Sequence, residues 1–188
     1  IQWLAQCFPQ ANDFSRIKIA GDNGADGAFV QGQMGDLWAT QGRVDLLAKA
    51  VDYIKENGMV AGIACHNIAA AIELEKAGVP VDFYMKTLHD DNYWTATPKE
   101  KRSPEGGLPG HDNMWCTEAE RTVRFMETVK KPWIAYKVLA AGAIHPRDGF
   151  EYAFQNGADF TCAGMLDFQV IENSIIAKNA IAKGKNRK

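Results

Sequence analysis

The segment VDFYMKTLHDDNYW, residues 81–94, sets Lys86 inside an apolar run and follows it with His89, Asp90 and Asp91. A second lysine, Lys137, stands between Tyr136 and Val138 in KPWIAYKVLAAGA. A lysine buried in a strand is costly to keep charged. Burial and a second nearby cation both favour the neutral amine, which attacks carbonyl carbons and forms Schiff bases. The expectation is therefore Lys86 as nucleophile or base, with Lys137 tuning it electrostatically. His89 or Asp90 would move protons. The plainer alternative is that each lysine pairs with a carboxylate or reaches solvent at a strand end.

A different chemistry uses overlapping residues. His66, His89 and Asp90, with Asp91 and His111 nearby in type, are suited to a divalent metal such as zinc, manganese or iron. No HxH or HExxH motif is present. This reading gives a metal-dependent hydrolase or isomerase in which Lys86 polarises a carbonyl oxygen, whereas the lysine reading needs no cofactor. The competing local reading is that His66-Asn67 caps a helix and HDDN makes a solvated turn. Gly142 and Gly164 close two further apolar runs, where small residues let backbone N–H groups approach a phosphate. Tight turns alone would also explain them. Gln31 ends an earlier apolar run and is a candidate for substrate binding. Asp36 joins the site or pairs locally.

The elements that must position these residues recur. A helical stretch ends in glycine and a short apolar run follows, at 23–32, 57–66, 77–86 and 156–165. A fifth run, 131–143, is introduced by proline. Glycine just past a helix supplies the left-handed conformation that ends it. The runs lack clean alternation, as expected of parallel strands buried on both faces. In RVDLLAKAVDYIKEN, Val44, Leu47, Val51 and Ile54 share one helical face. Helical patterns also cover 67–78, 117–131, 145–157 and 167–184, with a capping box expected from Thr117 and Glu120. Residues 34–43 read as a polar connection. Five βα units in sequence indicate an α/β fold. We expect a single domain over 1–188, the last five units of a parallel (β/α)8 TIM barrel. An open doubly wound sheet is the alternative. The connection 88–116, rich in proline and glycine and carrying Trp94 and Trp115, is expected to be a lid or a subunit contact.

The motifs DFYMKT, YKVLAAGAI and NGADF together resemble the DFxKTS…VKxxGGI…GAD pattern of deoxyribose-phosphate aldolase and related class I aldolases. The resemblance covers about half the chain. It implies a (β/α)8 barrel with Lys86 as the Schiff-base lysine on the sixth strand and Lys137 as its neighbour on the seventh. Gly142 and Gly164 would then hold a substrate phosphate.

Composition narrows the partners. The chain has 188 residues, is 46% hydrophobic and carries a net charge of -2. That balance favours neither nucleic acid nor an anionic membrane, and no apolar run is long enough to span a bilayer. Cys7, Cys65, Cys116 and Cys162 lack CxxC spacing, and Cys65 and Cys162 lie in apolar runs. Buried free thiols and a reducing compartment such as the cytoplasm are expected. A start at Ile1 rather than Met leaves room for an upstream signal. The expected ligand is a small carbonyl or sugar-like molecule, phosphorylated or not. Five barrel units leave open edges, so a homo-oligomer, or a partner supplying the remaining units, is expected. A non-catalytic binding or oligomerisation module is a third possibility.

Overall fold

A computed structural model describes residues 2–102 and 113–184. The chain divides into two compact units, Ile1–Met85 and Lys86–Lys188. The first contains β1 (Leu4–Cys7), α1 (Ser15–Asp22), β2 (Gly27–Val30), α2 (Gly32–Thr40), α3 (Val44–Glu56), β3 (Val60–Cys65) and α4 (Ile68–Lys76). The division falls within β4 (Phe83–Thr87). The second continues with α5 (Ala119–Met126), β5 (Trp133–Tyr136), α6 (Pro146–Gln155), β6 (Phe160–Cys162) and α7 (Val170–Ile181). Strands follow chain order, β1-β2-β3-β4-β5-β6. The pairings β1 with β2, β2 with β3 and β5 with β6 are parallel. The chain is thus an α/β protein with a parallel strand arrangement consistent with part of a βα barrel.

Local chemistry explains the elements. Every residue of β2 and of β4 is buried, as parallel strands covered on both faces require. On α3, Leu47, Val51 and Ile54 are fully buried and the charged residues lie on the other side. Gly24, Gly58, Gly78 and Gly157 all take positive φ just beyond α1, α3, α4 and α6. They end their helices in the left-handed conformation that the recurring pattern anticipates.

The aspartates of that pattern have a role of their own. Asp26 donates its N–H to the Trp3 carbonyl at 2.9 Å, and its carboxylate accepts the Trp3 N–H at 2.7 Å. Asp82 does the same to Ala61, at 2.8 Å both ways. Asp159 does it to Trp133, at 3.0 and 2.8 Å. Each reciprocal pair joins the residue just before a strand to the first residues of the preceding one, or to the residue just before it. Main-chain groups at the amino ends of the strands are thereby satisfied.

Several expectations need correction. Among the described residues there are six strands rather than five. β1 has only four residues, in alternating exposed and buried positions, too few to show the run that marks the others. Residues 34–43 are not a plain connection. α2 covers most of them, buries Gly32, Gly35 and Trp38, and is capped by Gln31, whose side chain accepts the Met34 N–H at 3.2 Å. Its glycines hide the helical signal. A Cβ on Gly35 would lie 2.1 Å from the Ala64 carbonyl oxygen, so glycine is what lets α2 approach the β3 backbone. The Thr117–Glu120 capping box does not form, because α5 begins at Ala119 with Glu118 in the cap position. Of the two cysteines expected to be buried, Cys65 is, but Cys162 is exposed. It lies on β6, the last strand in the order.

The clamp is testable at Asp82. Asp82→Ala leaves the Ala61 N–H without its acceptor and should cost about 1–3 kcal/mol. Asp82→Asn keeps an oxygen acceptor and should cost clearly less. Urea unfolding of both variants checks this. Equal losses would mean that the Lys55–Asp82 ion pair, at 2.9 Å, rather than the clamp, carries the effect.

Candidate active site

In the second unit the two strand lysines stand on neighbouring strands, Lys86 within β4 and Lys137 one residue past β5. The Trp133 indole N–H donates to the Lys86 carbonyl at 3.2 Å, and the Leu88 N–H donates to the Tyr136 carbonyl at 3.1 Å. Lys86 is 1% exposed. Its Nζ donates to the Thr87 carbonyl and to Thr87 Oγ1, each at 2.8 Å. No carboxylate pairs with it among the described residues. Thr87 Oγ1 in turn donates to the Trp115 carbonyl at 3.3 Å. Lys137 is exposed, and its Nζ lies 4.1 Å from the centre of the Trp115 ring, a cation–π contact. Thr87 and Trp115 therefore link the two amines. The sequence reading missed both as organisers; the only hint was an indole inside a connection otherwise rich in proline and glycine.

The turn after β5 is strained. Lys137, Ala140 and Ala141 have φ of 62°, 43° and 55°, the only non-glycine residues with positive φ among those described. Such conformations cost of order 1 kcal/mol or more each and gather at functional sites. Gly142 follows with φ of 89°. This turn and the end of β6 line a cavity of about 720 Å³, whose walls include Lys137, Gly142, Cys162, Gly164 and Asn173. Three expected site residues, Lys137, Gly142 and Gly164, thus share one cavity. Gly142 is required by its backbone. A Cβ on Gly164 would meet nothing within 4 Å, so Gly164 is not there for close packing.

His89, Asp90 and Gln31 lie elsewhere. His89 is fully buried. Its Nε2 accepts the N–H groups of Trp115 at 3.1 Å and Cys116 at 2.9 Å, which puts the ring proton on Nδ1. Nδ1–H then donates to the Asp90 carbonyl at 2.8 Å. Burial pushes the imidazole down to about 4. His89 is a neutral clasp joining the start of the long connection to its end. Tyr93 reinforces it, its hydroxyl donating to the Asn113 carbonyl at 2.9 Å. Asp90 accepts the Asn92 N–H at 2.9 Å in the turn expected of HDDN. It lines a second cavity of about 530 Å³ with Tyr93, His145, Asp148 and Tyr152. The middle of the connection, residues 103–112 with His111, lies outside the described residues, so the expected lid is described only at its two arms. Gln31, in the first unit, is the α2 cap.

Also in the first unit, Asp36 holds His66. Its carboxylate accepts the backbone N–H groups of His66 and Asn67 at 3.0 Å and the His66 Nδ1–H at 2.8 Å. A pairing across 30 residues is invisible to local pattern. Asn67 caps α4, accepting the Ala69 N–H at 2.9 Å. Among the described residues, no group of three or more His, Cys, Asp or Glu side chains is arranged to hold a metal ion. No helix there is long and apolar enough to cross a membrane. No protein-family model matches the chain, and no curated protein matches it.

The His89 clasp predicts a pH dependence. With a folded pKa near 4 and an unfolded value near 6.5, the unfolded chain binds more protons between these limits. His89 should thus contribute full stability above about pH 6.5 and lose it as pH falls toward 4, a change on the order of 3 kcal/mol. His89→Gln should lose stability at pH 7 and show a shallower decline over that window in urea titrations at stepped pH. Parallel declines in the two proteins would show that His89 does not titrate this way.

Proposed function

We propose that the chain is an enzyme acting on a small carbonyl or sugar-like substrate, by lyase chemistry of the class I aldolase kind, through Lys86. The observation that carries this reading is an amine 1% exposed, bonded only to neutral oxygens. Burying a cationic amine without a counter-ion costs several kcal/mol, and residues kept at such cost concentrate at functional sites. In the reaction, the Lys86 amine attacks the carbonyl carbon and, with one proton taken up, the oxygen leaves as water and a protonated imine remains. The bond between the α carbon and the hydroxyl-bearing β carbon then breaks, its electron pair passing to the imine to give an enamine, while the β hydroxyl gives up its proton and that fragment leaves as an aldehyde. The enamine takes up a proton at the α carbon, and addition of water releases the second carbonyl product, a proton and the free amine. Lys137, at the wall of the larger cavity, supplies positive charge for a phosphate or carboxylate on the substrate, with Gly142 and Gly164 beside it. The resemblance to deoxyribose-phosphate aldolase is compatible with these roles.

Asp36 and His66 favour a second reading, isomerase or hydrolase chemistry. A carboxylate fixing one imidazole nitrogen is the arrangement used to orient both general bases and metal-ligating histidines. Elemental analysis of protein purified without chelators discriminates: a stoichiometric transition metal moves the weight to His66.

The leading reading is tested by borohydride trapping with a panel of small aldehydes and ketones, followed by peptide mass mapping. A reduced adduct is expected on Lys86. Lys86→Ala should abolish trapping, and Lys137→Met should weaken it for anionic carbonyls more than for neutral ones. An adduct on Lys137 alone would transfer the nucleophilic role to it, and no adduct on either lysine would sink the imine mechanism.

A further inference from the structure

The inward face of α7 carries one polar residue. Asn173, Ile176, Ala177 and Ala180 recur at helical spacing and are buried or half-buried. Packing alone favours an apolar side chain at each of these positions. Asn173 is 4% exposed, and its carboxamide makes no hydrogen bond to any described residue. A buried amide left unpaired opposes folding, a cost that a bound molecule removes. Asn173 lines the cavity of about 720 Å³ that Lys137, Gly142 and Gly164 also line. All of its walls belong to the second unit, and its size suits a small organic ligand. Two other polar side chains of the wall are already engaged. Lys137 lies against the Trp115 ring, and the Gln169 side-chain carbonyl accepts the Leu166 N–H at 2.9 Å.

We propose that Asn173 is a specificity-determining residue that hydrogen-bonds hydroxyl groups of the ligand in this cavity. The site then takes small hydroxylated anions and discriminates against their deoxy counterparts. Complementarity selects this class. A carboxamide offers two N–H donors and one carbonyl acceptor. An ionised carboxylate or phosphate accepts without donating and would leave the carbonyl unpaired. Adjacent hydroxyls serve both ends, one accepting from the amide nitrogen and the other donating to the amide oxygen. Lys137, on the same wall, takes the anionic group. An analogue without the hydroxyls leaves the buried amide unpaired again, and sites built in this way reject such analogues steeply. That the ligand is also the substrate rests on the proposed lysine chemistry; that it binds here does not.

Chemical-shift titration of the isotope-labelled chain tests it, with glycerol phosphate and glycerate as probes and propyl phosphate and propionate as their deoxy counterparts. At least one hydroxylated anion should shift the Gly142 and Gly164 amide signals and bind about 10-fold or more tightly than its counterpart. The pair that shows this preference identifies the anionic group. Asn173→Leu, close in size and without the amide, should fold with an unchanged circular dichroism spectrum and lose the preference, while the deoxy anion binds as before. Asn173→Ala should do the same, which keeps the test decisive if leucine does not fit. Lys137→Met should weaken both members of the pair alike. No preference in the original chain, or a preference that survives the Asn173 variants, overturns the proposal. Failed borohydride trapping with the preference intact would strike the lysine mechanism and leave this site standing.

Discussion

A parallel strand pair has no hairpin to set its register, so something at the strand ends must. Here an aspartate does it three times. Asp26, Asp82 and Asp159 each exchange two hydrogen bonds with one residue at the start of the preceding strand. Side-chain direction alternates along a strand, so a slip of one residue would turn every side chain to the opposite face. Lys86 would then point to the opposite face of β4. The placement of Lys86 near one end of the strand thus depends on the bonding at its other end.

The clamp also changes what the sequence motifs mean. NGAD reads as part of a family signature, yet in this structure its glycine ends a helix and its aspartate binds a main-chain N–H. Both roles belong to any parallel βα unit with a tight αβ turn, whatever its reaction. The resemblance to class I aldolases therefore draws much of its match from residues with structural duties. Its specific content is the pair of strand lysines. Those are the positions at which the structure holds something unexplained by folding alone: a buried amine without a carboxylate, and a lysine held at positive φ.

Helices and strands were legible where period and punctuation agreed. The positive-φ glycines after α1, α3, α4 and α6 marked the strands that follow, and buried Leu47, Val51 and Ile54 matched the stripe on α3. β1 and α2 were not legible. One is too short to show a period, and the other carries glycines that serve packing against the β3 backbone and depress helix propensity. Lys137, Gly142 and Gly164, read from strand ends, line one cavity because topology fixes where those ends lie. His89 was seen as a chemical residue because its type is reactive. Its role as a clasp depends on Trp115 and Cys116, more than 25 residues away in sequence, and no local pattern carries that.

The two ends of the strands have opposite characters. At the amino ends, glycines and aspartates leave main-chain groups bonded and relaxed. At the carboxyl ends of β4 and β5 the chain holds a buried cation-forming group and three strained non-glycine residues within the five positions from Lys137 to Ala141. Strain and unpaired burial both oppose folding, so they persist only where the rest of the fold over-determines the local conformation. The aspartate clamps, the buried β4 and the His89 clasp provide that surplus on either side of Lys86 and Thr87. In parallel βα folds, stability gathers at the amino ends and chemistry at the carboxyl ends. In this chain the buried Lys86 and the strained turn at Lys137 lie at the carboxyl ends, which is the reason the proposed reaction is placed there and not among the acidic side chains around Asp90.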